Sequence, residues 1–118
     1  MTRDLDEVID ELAEIEGVEA CIIYRIDGSP IRSRIPRFKE VMLEILNWLE
    51  RQVKYVFRQM EMDKVETATF IYHGYSVILQ VSSRSTVLAV VMNPKANQLL
   101  VSVEVSRAAA KIRELVSQ

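Results

Sequence analysis

The sequence predicts an α+β fold, a five-stranded antiparallel sheet with one long helix on one face and the N- and C-terminal helices on the other. Three observations carry this. Apolar residues recur at helical spacing near the N-terminus and through a long middle stretch. Short apolar or alternating runs are separated by the turn signals Asp27-Gly28, His73-Gly74 and Ser82 to Ser85. One of those runs, Val87 to Met92, is apolar at every position, as in a strand covered on both faces.

Each element follows in order. Leu5, Val8, Ile9, Leu12 and Ile15 place a short amphipathic helix over 3–16, with Thr2 or Asp4 as its cap and Gly17 as its stop. A strand over 18–26 runs into Asp27-Gly28, read as a two-residue hairpin turn. Pro30 confines the second strand to a sheet edge, and Ile35-Pro36 ends it. From 38 to 60, Phe38, Met42, Ile45, Leu49, Val53, Val56 and Met60 form one helical stripe. Val41, Trp48 and Tyr55 lie on one flank of it, and Leu43, Leu46 and Phe57 on the other. The apolar and mixed arc is on the order of 240°, against the ~100° that covers one sheet face, so this helix calls for two partners.

Three strands follow. Over 64–72, Val65, Thr67, Thr69 and Ile71 alternate with Ala68, Phe70 and Tyr72; His73-Gly74 is the turn. Tyr75, Val77, Leu79 and Val81 then alternate with Ser76, Ile78 and Gln80. The run to Met92 ends at Asn93-Pro94, and Asn97 caps a last helix reaching Val116. Setting the two most apolar strands, 18–26 and 86–92, side by side gives strand order 2-1-5-4-3. One edge is guarded by Pro30 and arginines. The other, 64–72, is long, weakly charged and open.

With 118 residues the chain fits a single domain over 1–118. No apolar run approaches the ~20 residues of a membrane span. The acidic, polar N-terminus does not read as a secretory signal, and the lone Cys21 cannot form an internal disulfide, so a cytoplasmic location is expected. The net charge of −2 hides an asymmetry. Residues 1–19 carry eight acids against Arg3 alone, whereas Arg25, Arg32, Arg34, Arg37 and Lys39 follow with only Asp27 among them. Such a basic patch suits nucleic acid, anionic lipid or an acidic protein surface, or is simply a charged edge that discourages aggregation. No aromatic platform accompanies the arginines, which argues against nucleic acid.

Catalytic chemistry is not legible. His73 sits in a turn without the partners a metal site needs, and Cys21 lies in an apolar strand as a small core residue. Three glycines form neither a phosphate-binding loop nor a dinucleotide fingerprint. Asp27-Gly28-Ser29 is followed by Pro30 and Ile31 where an ion-binding loop would need ligands. No cofactor, metal or enzymatic activity is expected.

The order of features resembles the roadblock family, the domain of dynein roadblock light chains and their bacterial and archaeal relatives. The resemblance rests on Gly17-Val18 and the apolar strand, Asp27-Gly28-Ser29-Pro30-Ile31, the long middle helix, the three-strand meander and the Asn93-Pro94 exit. Gln98-Leu99 departs from the Leu-Gly pair that opens the last helix of many prokaryotic members. The resemblance implies a roadblock/longin-like fold and a dimer that joins edge strands and pairs long helices. It also implies a role as platform or regulator of Ras-like GTPases, or as adaptor of a motor or cell-polarity assembly. On that footing the expected homodimer interface is Val41, Trp48, Gln52, Tyr55 and Gln59 on helix 38–60, with Thr67, Thr69 and Ile71 on strand 64–72. Arg32, Arg34 and Arg37 are candidate contacts for a GTPase partner. A small-molecule sensor is a further class, disfavoured because no convergent polar cluster marks a pocket in the sequence.

Overall fold

The computed structural model describes residues 4–117. Its elements run α1 (Leu5–Ala13), β1 (Val18–Arg25), β2 (Pro30–Arg34), α2 (Glu40–Asp63), β3 (Thr67–Tyr72), β4 (Tyr75–Val81), β5 (Thr86–Met92) and α3 (Gln98–Val116). All strands pair antiparallel in the order β2-β1-β5-β4-β3, as expected from the sequence.

Strand alternation sorts the core into two layers. Ala20, Ile22, Tyr24, Val77, Leu79, Val87, Ala89 and Val91 face α2, which buries Met42, Ile45, Leu49, Val53 and Phe57 against them. On the opposite face Cys21, Ile23, Ile78, Leu88, Val90 and Met92 meet α1 and α3. β5 is buried at every position because it lies between β1 and β4 with a helix layer on each side. Cys21 is enclosed, and burial followed by the nearby Asp10 charge pushes its thiol up to about 12. Burial and then Glu50 likewise raise the Tyr24 phenol above its ordinary value.

Several boundaries differ from the sequence reading, each for a local reason. α1 is capped by Asp4, whose carboxylate accepts from the Glu7 amide, and it stops at Ala13 rather than running to Gly17; Thr2 and Arg3 lie outside the described residues. Gly17 serves another purpose. At φ +91 its carbonyl accepts from the Asn93 amide, and an added Cβ would sit 2.5 Å from Ala96. The first hairpin is not a two-residue turn: Gly28 N donates to Arg25 O and Arg25 N to Ser29 O, with Gly28 at φ +91. That is a three-residue loop ending in a glycine bulge. The Ser29 hydroxyl and amide both donate to Asp27, holding its carboxyl below the usual range.

α2 begins at Glu40 because Lys39 has extended backbone, which leaves Phe38 outside the helix and 60% exposed. Phe57 takes the place in the buried stripe that periodicity assigned to Val56, which is only half-buried. The helix runs on to Asp63 and closes through Val65 N to Met60 O and Lys64 N to Glu61 O, with Lys64 left-handed at φ 56. This Schellman closure normally draws glycine, so the sequence carried no stop signal there. It consumes residues 64–66, and β3 is accordingly shorter than the expected strand 64–72.

Candidate functional site

β3 is the unguarded edge. His73 and Gly74, at φ 52 and 80, form the two-residue turn of the β3–β4 hairpin, making Tyr72–Tyr75 a hydrogen-bonded pair. Alternation then directs the main-chain groups of Ala68 and Phe70 toward β4 and those of Thr67, Thr69 and Ile71 outward. The bond from Val81 N to Glu66 O keeps the same phase. The three residues expected to pair across a dimer are therefore the ones whose N–H and C=O groups point away from the sheet.

Their side chains share one face, and it is uncovered. All three are exposed, Ile71 at 81%. The α1–α3 layer stops over β4, where Gln98 Nε2 donates to Ser76 Oγ. The other face of β3 carries Ala68, Phe70 and Tyr72 and lies under α2. Trp48 stacks on Tyr72 at 4.8 Å and meets Phe70 edge-on at 5.5 Å. Tyr72 in turn abuts His73, whose Nε2 lies 3.1 Å from Glu44 Oε2.

The expected helix flank thus divides. Trp48 is half-buried against its own β3, and Val41 and Gln52 are half-buried as well. Tyr55, at 63% exposed, and Gln59 stand in solvent. The flank faces the open edge, because the residue it packs on is in β3. Helix flank and edge strand form one continuous surface.

The arginines have a different setting. Arg32 Nε is 3.4 Å from Asp6 Oδ1, and Arg34 Nε is 3.3 Å from Asp10 Oδ1, so the basic β2 edge is answered by the acidic face of α1. Both pairs are about half exposed, where such bridges contribute ~1 kcal/mol or less. Arg37 is exposed on the segment before α2. These residues lie at the sheet edge opposite β3, so any contact they make is separate from the β3 surface.

Two features escaped the sequence reading. Glu19 is buried in β1, accepting from Asn93 Nδ2 at 2.8 Å and Lys39 Nζ at 3.3 Å. A lone carboxylate within an apolar strand was its only signal. The second is a cleft of ≈ 980 Å³ between the C-terminal ends of α2 and α3 and the β4–β5 loop. Its walls come from segments far apart in the chain, so no local pattern announced it. Among the described residues, no group of three His, Cys, Asp or Glu is placed to hold a metal ion, and no helix is long and apolar enough to cross a membrane.

The AF0774-like protein family matches residues 2–106 of the chain. No curated protein matches its sequence. Among solved structures, MglC from Myxococcus xanthus superposes with a TM-score of 0.79 at 15% identity, covering 93% of this chain and 97% of that one. A Roadblock/LC7 domain from Streptomyces avermitilis does so at 0.74 and 11% identity, covering 98% and 100%. The gliding protein MglB from Thermus thermophilus gives 0.72 at 12% identity, covering 94% and 87%. At these identities the likeness establishes the fold, which is of the roadblock/longin type.

Proposed function

The chain belongs to the AF0774-like protein family, of roadblock type, and from that premise we propose that it is a non-catalytic, cytoplasmic homodimer that binds and regulates or scaffolds a Ras-like small GTPase. The observation that carries the dimer is the outward main-chain row of Thr67, Thr69 and Ile71, lying beside the half-exposed flank of α2. A sheet edge of this kind is a template for pairing with another strand. A second copy arriving about a two-fold axis supplies the same edge in antiparallel sense and brings the two α2 flanks together.

Tyr55, Gln59 and the open side of Trp48 then form the helix-pair contact, with aromatics at its centre where interface energy concentrates. The GTPase reading rests on the roadblock resemblance and on the structural likeness to MglB and MglC. A regulator of this type acts by contacting one nucleotide state of its partner better than the other. A purely structural adaptor uses the same dimer without that preference.

Thr69→Pro tests the dimer. Proline removes one outward N–H and leaves the β3–β4 ladder untouched, since Thr69 does not donate to β4. We expect dimeric wild type by sedimentation at micromolar concentration, and a folded, monomeric variant. A monomeric wild type overturns the dimer. Capture of a Ras-like GTPase encoded in the same genome, loaded with GDP or GTP, then separates regulator from adaptor: equal capture in both states excludes nucleotide-linked regulation.

A further inference from the structure

The cleft at the end of the molecule remote from the His73–Gly74 turn has a polarity of its own. Its floor is apolar: Phe57, Met60 and Val65 from the α2–β3 junction, Val81 from β4 and Val116 from α3. Val65 and Val116 stay exposed at 43% and 37%, although the Schellman closure sets Val65 next to Met60. Its size stands at the upper end of the range typical of small-molecule sites.

Charge is distributed unevenly around that floor. The α2–β3 wall carries Glu61, Lys64 and Glu66 and keeps one net negative charge, so any positive character of the cleft comes from the walls opposite. The walls opposite carry Arg84 and Arg113 with the hydroxyls of Ser83, Ser85 and Ser117 and, among the described residues, no carboxylate. Arg113 is held by its Nε donating to the Ser82 carbonyl, leaving the terminal nitrogens of its guanidinium for other acceptors. The Ser82–Thr86 turn is itself braced by hydroxyl contacts among Ser82, Ser83 and Thr86. Arg84 has no ion-pair partner among the described residues.

From this arrangement we infer that the cleft binds an amphipathic monocarboxylate, a fatty acid whose chain lies along Phe57, Met60, Val65 and Val81 and whose head group meets Arg84 and Arg113. Guanidinium is suited to this, because it offers a carboxylate two parallel donors. The cleft shares no residue with the proposed dimer interface, although residues 64–66 lead directly into β3, and binding there is read out separately from the dimer and from the GTPase.

Decanoate is the probe, with decanol and decylamine as neutral and cationic counterparts of equal chain length. Amide chemical shifts of the full chain, followed on titration, should move saturably at residues 64–66, 83–85 and 113–117. Arg84→Glu should weaken decanoate at least tenfold and leave decanol unchanged. Val65→Asp, at an exposed position that threatens the fold little, should weaken both. Binding of decanol or decylamine as tight as decanoate overturns the assignment of the charged wall. Absence of saturable shifts, or shifts centred elsewhere, overturns the site, as does decanoate affinity unaffected by Arg84→Glu.

Discussion

Gly17 and Lys64 show how much a single backbone dihedral can decide. Both sit at positive φ, but only one is glycine. Gly17→Ala forces a Cβ into the Ala96 backbone as well as into a strained dihedral, and should destabilise the fold by at least about 2 kcal/mol in urea unfolding. Lys64→Gly should do the reverse, raising stability by up to about 1 kcal/mol, because it removes the left-handed penalty while the closing bonds to Met60 and Glu61 persist. Cys21 and Tyr24 set the alkaline limit. Both are held protonated in the fold, so the unfolded chain loses protons near pH 9.0 and 10.0 that the native chain keeps. The unfolded state then binds fewer protons and stability falls as pH rises, by up to about 1.4 kcal/mol per pH unit for each titrating group. Denaturant midpoints across that range should show a shallower decline in Tyr24→Phe.

Among the elements, α2 and β3 separate what packs the monomer from what is left over. Trp48→Ala removes the stack on Tyr72 and should lower the melting temperature as well as weaken the proposed dimer. Tyr55→Ala deletes a ring that stands mostly in solvent, so the monomer should melt unchanged while sedimentation reports a weaker dimer. The sequence made this element order and the strand order legible because period and turn chemistry agree along the chain: Asn97 caps α3 and His73-Gly74 turns β3 into β4 as read. It misjudged places where a tertiary contact overrides the local signal. Gly17 served a crossing of loops rather than a helix stop, and Lys64 occupied a glycine position. The candidate interface was legible as exposed alternation in β3, but the packing of Trp48 on Tyr72 was not, since a helix flank does not declare which strand it touches.

At the scale of the whole molecule, the two sheet edges are built differently. β2 carries Pro30 and arginines bridged to α1, while β3 presents bare main chain with one face uncovered. Pro30 and these bridges disfavour strand addition at β2, so the proposed pairing through β3 would close at two copies instead of propagating into a fibre. The placement of β1 has a further consequence, in time rather than space. β1 is made early, yet its partner β5 is the last strand to be synthesised. Until Met92 has left the ribosome, the buried strand β1 has β2 on one side and nothing on the other. A ribosome stalled before β5 should hold this chain in a chaperone-dependent, protease-sensitive form, and one stalled after α3 plus a linker long enough to clear the exit tunnel should release that dependence.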